Sequence, residues 1–313
     1  MMFLLGKVSR TAFTVLLALT FTFVLLRLSG DPALALLGVD ATPEALEHFR
    51  TRYALDQGIV TQFLSYLSNL AAGDFGTSLR DGRPVEEVVF ETVPRTMQLM
   101  GAGFLLALAV GVPAGMYAAT RQGTVMDRLI ISFSVTGFCM PNFFLGLLLI
   151  LVFTLWLRLL PAGGASGPAH FVMPVITLTT AYMGIVARYA RASMITVLDR
   201  PFLLAARARG ASPAAILWRH ALPNAAIPIL TVSGLIFGSL LGGAAVVETV
   251  FSWPGMGRLL VNSVLSKDLP VVQCIVILLA LVMVFTNLCI DIAYRFLDPR
   301  IASSEARQQQ VNA

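Results

Sequence analysis

Hydrophobic positions in this chain come in long blocks, not in the short alternations of a soluble fold. Splitting the chain at its charged residues leaves uncharged runs at 11–26, 96–120, 129–157, 159–187, 220–247 and 269–290. About 20 apolar residues cross a bilayer as a helix, and five runs reach that length. The first is shorter, but Val8, Ser9 and Leu28 extend it, and Arg27 can snorkel to the interface. The run at 159–187 opens with Pro161, Gly163, Gly164, Ser166, Gly167 and Pro168, which is loop chemistry. Its helix is therefore placed from Phe171, with Arg188 and Arg191 at the far end. The pattern predicts an all-α polytopic membrane protein with six spans, near 8–29, 96–120, 129–157, 171–194, 224–247 and 270–294. Pro141, Pro174 and Pro228 are expected to kink their helices.

Composition strengthens this reading. Hydrophobic residues make up 57% of the 313 and charged residues 12%, against roughly 25% charged in soluble domains. Mean hydropathy is +0.81. Such a chain cannot cover itself with polar surface, which excludes a soluble enzyme or DNA-binding domain despite the net charge of +5. Cys139, Cys274 and Cys289 all lie in apolar runs and read as small hydrophobes, not a disulfide framework. Ala33-Leu34-Ala35 offers a signal-peptidase pattern, but Asp31 and Pro32 crowd it, so the first run reads as a retained span.

Charge also sets orientation. Lys7, Arg10, Arg121, Arg128, Arg188, Arg191, Arg200, Arg207, Arg209, Arg219, Arg295, Arg300 and Arg307 fall on one side, and only Arg158, Arg258 and Lys267 in the short loops of the other. The positive-inside rule then predicts both termini in the cytoplasm. Residues 1–29 hold the N-terminus and first span, 30–94 an extracytoplasmic segment between spans one and two, 95–296 the remaining transmembrane domain, and 297–313 a polar cytoplasmic tail. Segment 30–94 carries ten of the seventeen acids. Within it, Thr42-Pro43 opens a helix. Residues 57–71 form another, with Ile59, Phe63, Leu67 and Leu70 on one face and Gly73-Asp74-Phe75-Gly76 at its end.

Absences constrain mechanism. Lys7 and Lys267 are the only lysines and neither lies in a P-loop, so the chain is not expected to hydrolyse ATP or act as an enzyme. His48, His170 and His220 are far apart and no metal or cofactor is expected. The central parts of the spans carry no acid or base, with Glu248 and Asp291 near helix ends. A secondary transporter or channel would want buried ionisable groups or a filter ring, and an intramembrane enzyme a nucleophile with its base.

Glycine supplies a positive signal. Gly234, Gly238 and Gly242 repeat every four residues on one face of the fifth span, and Gly111 and Gly115 do so in the second. Such strips serve internal packing, a subunit interface or a pore wall. If the fifth-span strip is an interface, Gly238→Leu is expected to damage assembly and Leu240→Phe, on another face, to be milder.

The loop between spans four and five, 199–223, reads as two short helices with a sharp break. Pro201 opens the first and Gly210 closes it; Ser212 caps the second, with Pro213 at its first position. A basic helical knuckle of this kind is either a docking element for a soluble partner or a plain positive-inside loop.

Ala205-Ala206, Gly210, His220, Leu222 and Pro223 resemble the E-A-A-x₃-G-x₉-I-x-L-P loop of permease subunits in binding-protein-dependent ABC importers. Leu204 stands in place of the glutamate and His220 in place of the isoleucine, where peptide-type permeases commonly vary. Further matching segments are Leu28 to Ala33, Gly73 to Leu79, Gly82 to Val85, Pro141 to Gly146, Val247 to Gly257 and Leu297 to Arg300. The chain thus resembles, nearly end to end, the first permease subunit of dipeptide, oligopeptide, glutathione and nickel importers. The resemblance implies the type I importer permease fold and a second, related permease completing the path. It also implies two ATPases docked on the loop at Ala205, Ala206, Arg207, Gly210, Ser212, Pro213, His220, Leu222 and Pro223, a periplasmic binding protein delivering peptide, and residence in the bacterial inner membrane.

Overall fold

The computed structural model describes residues 13–25, 30–38 and 41–297, without the side chains of Pro32, Ala35 and 287–297. Lys7, Arg10, Arg27, Leu28-Ser29, Asp298-Pro299-Arg300 and the tail therefore lie outside the described residues, as do the side chains of Cys289 and Asp291. Among the described residues every element of two residues or more is helical: α1 Phe13–Leu25, α2 Pro32–Leu37, α3 Pro43–Arg52, α4 Ile59–Ala71, α5 Val85–Phe90, α6 Val93–Thr120, α7 Val125–Cys139, α8 Asn142–Leu149, α9 Ala169–Leu198, α10 Pro201–Ala208, α11 Pro213–Ala215, α12 Leu222–Val250, α13 Met256–Leu265 and α14 Leu269–Leu297. Two π-helical stretches, Ile150–Trp156 and Ile216–Ala221, extend α8 and join α11 to α12.

Among the described residues four helical stretches are long and apolar enough to cross a membrane: Val85–Thr120, Ala169–Leu198, Pro213–Val250 and Leu269–Thr286. The expected third span is not one rod. Its halves, Val125–Cys139 and Asn142–Trp156, meet at an angle of 100° and make a fifth crossing only if taken together. Pro141 is the cause: it begins α8 as its N-cap residue, and Met140 before it is extended at φ −77°, ψ 119°, as steric conflict with a following proline ring requires. Pro174 and Pro228, by contrast, sit inside continuous helices. The described part of the first span, Phe13–Leu25, is shorter than a crossing needs.

The chain divides into two compact units. One combines the residues up to Met97 with Ser252–Val284. Its N-terminal half is built on the expected local signals. Thr42 Oγ1 accepts from Ala45 N at 3.3 Å and opens α3. Gly73, at φ +82°, closes α4 by donating to Leu70 O while Asp74 N reaches Asn69 O. Phe63 of α4 packs on Phe23 of α1, ring centroids 5.1 Å apart, beside Leu269 and Val272. Burial pushes the Tyr66 hydroxyl of α4 to a higher pKa. Asp268, 2% exposed, ties distant segments together: its carboxylate accepts from Ser78 Oγ at 2.5 Å and Leu79 N at 3.0 Å. The Trp253-to-Met256 turn is anchored similarly, Trp253 Nε1 donating to Arg95 O and Met256 N to Thr96 Oγ1.

The second unit comprises Gln98–Phe251 and the residues from Phe285 onward. Its centre is α9, flanked by α6, α7 and α12 at distances that only small residues permit. A Cβ on Gly115 of α6 would collide with Ala187 O and approach Ala190 Cβ to 2.8 Å; one on Gly184 of α9 would collide with Ser134 O of α7. Gly111 is likewise pressed against Met183 O and Val186. The glycine pair of the second span thus serves packing within the chain. Polar ties are few. Asp127, at the start of α7, receives Arg191 Nε at 2.6 Å and Nη2 at 2.7 Å, and Tyr182 OH donates to Ser239 O at 3.0 Å.

Candidate functional site

The knuckle between α9 and α12 belongs wholly to the second unit. Pro201 stands at the first position of α10, where its missing N–H is no loss. The helix ends in a complete double-bonded C-cap: Gly210 takes φ +83°, its N–H reaches Arg207 O at 2.9 Å, and Ala211 N reaches Ala206 O at 3.2 Å. Two residues on, Ser212 Oγ accepts from Ala215 N at 3.2 Å and Pro213 opens α11. The expected second loop helix does not end, however. Through the π turn at Ile216–Ala221 it runs straight into α12, so that Pro223 lies in the first turn of a membrane-crossing helix rather than in a loop.

Burial separates the knuckle into two faces. Leu203 and Ile216 point inward and join Met116 and Ala119 of α6, Ala190 and Met194 of α9, and Ala225 and Ile229 of α12 in one apolar cluster, and Ala206 is buried on the same side of α10. Leu222 is half-buried against it. Ala205, Arg207, Gly210, Ser212 and Pro213 lie outward, with Phe202, Leu204 and Trp218 at 43%, 62% and 55% exposure. His220 is half-buried in the π turn, its carbonyl accepting from Asn224 Nδ2 at 2.7 Å. The expected loop residues are therefore brought together. The anchors Leu203 and Ile216 were not singled out in the sequence, although an apolar residue inside an otherwise basic loop is the available signal.

On α12 the three glycines differ from those of α6. A side chain on Gly238 or Gly242 would meet nothing within 4 Å, while adjacent Gly243 faces Tyr182 OH and Asn142. Gly234 and Gly238 are half-buried and Gly242 exposed. Leu240 is 0% exposed on the opposite, inward face with Ile236 and Ala244. The expectation that Leu240→Phe is the mild substitution is thereby corrected, because overpacking a full core is costly in itself. Leu235, 67% exposed, lies about 60° from Gly238 around the helix and so shares the glycine face.

No group of three or more possible metal ligands occurs among the described residues. Cys139 is exposed and Cys274 buried, both free thiols.

Comparison with known proteins agrees with this architecture. Residues 111–303 match the family model described as binding-protein-dependent transport system inner membrane component, and residues 1–100 the N-terminal model of the same systems. The chain is 38% identical to a probable peptide ABC transporter permease protein, y4tP, of Sinorhizobium fredii over 90% of this chain and 93% of that one. It is 41% identical to the glutathione transport system permease protein GsiC of Escherichia coli over 90% and 92%. Among solved structures, a chain of the MetNI methionine ABC transporter in an inward-facing conformation superposes with a TM-score of 0.58 at 18% identity, covering 68% of this chain and 97% of that one; at that identity the likeness concerns the fold alone. The chain belongs to the inner membrane components of binding-protein-dependent transport systems: it is a multi-pass permease subunit of an ABC importer, not itself catalytic, that works with ATPase and binding-protein partners.

Proposed function

We propose that this permease forms half of the translocation path of a peptide importer and that a second, homologous permease forms the other half. The names of the relatives support a peptide or glutathione cargo. The observation that carries the mechanism is the capped knuckle fixed by Leu203 and Ile216 to three long helices. A load applied to its exposed face cannot be absorbed locally, since α10, α6, α9 and α12 share one close-packed cluster. ATPase closure at Ala205, Arg207, Gly210, Ser212 and Pro213 thus moves the spans. The open face at Gly238 and Gly242 suits close approach by the second permease.

The same reading takes six spans of the type I importer fold, with α1 as the first and the α7–α8 pair as the bent third. Both termini lie in the cytoplasm, segment 30–94 is periplasmic, and 297–313 is a cytoplasmic tail. The charge bias of the loops supports this orientation. The test is reconstitution with the second permease, both ATPases and the binding protein, measuring uptake of labelled dipeptide, oligopeptide and glutathione. ATP-dependent uptake indifferent to ionophores is expected. Uptake driven by an ion gradient without ATP would instead make the chain a secondary transporter.

A further inference from the structure

Arg188 stands on α9, the fourth span. It lies ten residues before the end of α9, about 15 Å along the axis at 1.5 Å per residue. Helical side chains tilt back toward the N-terminus, which here leads deeper into the span. The guanidinium indeed stacks 5.1 Å from the ring centroid of Phe138, near the last turn of α7 and well beyond the Asp127–Arg191 pair at that helix's first turn.

A half-buried guanidinium is stabilised by an anion. Arg188 Nε is buried without a hydrogen-bond partner, and no ion pair to Arg188 occurs among the described residues. The nearest acid is already committed: Asp127 takes both Arg191 contacts and Gly123 N at 2.9 Å. Between them opens a cleft of about 570 Å³, lined by Asp127, Arg128, Ile131, Ser132, Arg188 and Arg191. Three arginines against one paired carboxylate leave this cleft positive. Phe138 holds one face of the Arg188 guanidinium, leaving its edge for the two-pronged hydrogen bonding that suits a carboxylate.

We infer that Arg188 is a carboxylate receptor in the translocation path, taking the C-terminal or side-chain carboxylate of the cargo as it crosses. The inference rests on the permease reading above and adds a residue and a ligand chemistry to it. Ionised intramembrane side chains mark such paths, and the cleft is large enough for the end of a small peptide.

The experiment uses the complete reconstituted importer with trialanine and trialanine amide as probes. Arg188→Gln is expected to slow trialanine uptake about tenfold, the scale of one lost charged hydrogen bond, while leaving the amide within twofold. The binding protein is common to both variants, so its own preference cancels. Arg188→Lys, which keeps charge but loses the fork, should fall between. Equal loss for acid and amide overturns the inference, because the anion would then belong to a subunit or lipid. A second measurement does not depend on cargo: in a Cys139→Ala background, Arg188→Cys should react with a negatively charged, water-soluble methanethiosulfonate reagent. An unreactive thiol overturns the site. If the unmodified importer moves neither probe, the peptide reading falls, and the labelling result alone decides whether position 188 lines a water-accessible path.

Discussion

Replacing Gly210 with valine tests whether the knuckle transmits force. A Cβ at this position would meet nothing within 4 Å, so crowding contributes nothing. The cost is conformational. Gly210 sits at φ +83°, where an L-residue costs about 1–2 kcal/mol and a β-branched one more. If the backbone relaxes instead, the Gly210 N–H to Arg207 O and Ala211 N–H to Ala206 O bonds are lost, each about 0.5–1.5 kcal/mol. Either route costs about 2–3 kcal/mol, enough to populate a frayed α10 C-terminus but too little to dissolve the cluster around Leu203 and Ile216. The variant should therefore insert, assemble and hydrolyse ATP while uptake per ATP falls at least fivefold. Uptake and ATPase rates measured on the same proteoliposomes give that ratio. Gly123→Val is the control: that residue has φ +78° with equally open surroundings, in the turn between α6 and α7. Parent-level coupling in Gly210→Val, or equal uncoupling in Gly123→Val, would refute a special role for the knuckle.

Other outcomes follow from the packing. Gly238→Leu should reduce co-purification of the second permease severalfold; recovery equal to the parent assigns the α12 glycines to no interface. Asp268→Ala strips Ser78 Oγ and Leu79 N of their acceptor and should destabilise the first unit by about 2–3 kcal/mol, read as faster proteolysis within 73–84 than in Asp74→Ala. Asp127→Ala should lower the melting temperature of the detergent-purified subunit, and Asp127→Asn with Arg191→Gln should recover part of the loss, since an unpartnered buried charge is worse than none. A cysteine at Ser65 or Asp81 should be labelled by an impermeant thiol reagent from the periplasmic side in intact cells; labelling only after lysis reverses the topology.

How much of this was legible beforehand varies with the physics behind each feature. Caps were legible because they are local: Thr42, Gly73, Gly210 and Ser212 each act on atoms within five residues. The 100° break at Pro141 was read only as a kink, since uninterrupted hydrophobicity on both sides gives no measure of angle. Continuity through Ile216–Ala221 was missed because His220 and Pro223 resemble a loop ending, while a π turn has no compositional mark. The roles of the glycines could not be separated by spacing. Gly111 and Gly115 share the four-residue period of Gly238 and Gly242, yet only the first pair is occluded within the chain. The length of α9 was underestimated at its C-terminal end, since it runs on to Leu198 through residues whose charge carries no helix-stop signal.

The π turn at Ile216–Ala221 also bears on rotational phase. Each residue in an α-helix advances the chain by about 100°, and a π turn accommodates an extra residue without breaking the helix. Deleting one residue there would convert the stretch to α-helix and leave α10 and α11 facing nearly the same way about the α12 axis, because five α-helical residues turn the chain about as far as the π stretch does. Trp218, Leu204 and Arg207 would keep their direction. Deleting a residue from the α-helical part of α12 beside it would instead rotate the knuckle by about 100°. Knuckles exchanged between related permeases thus tolerate a change of one residue within the π turn but not in the adjoining α-helix.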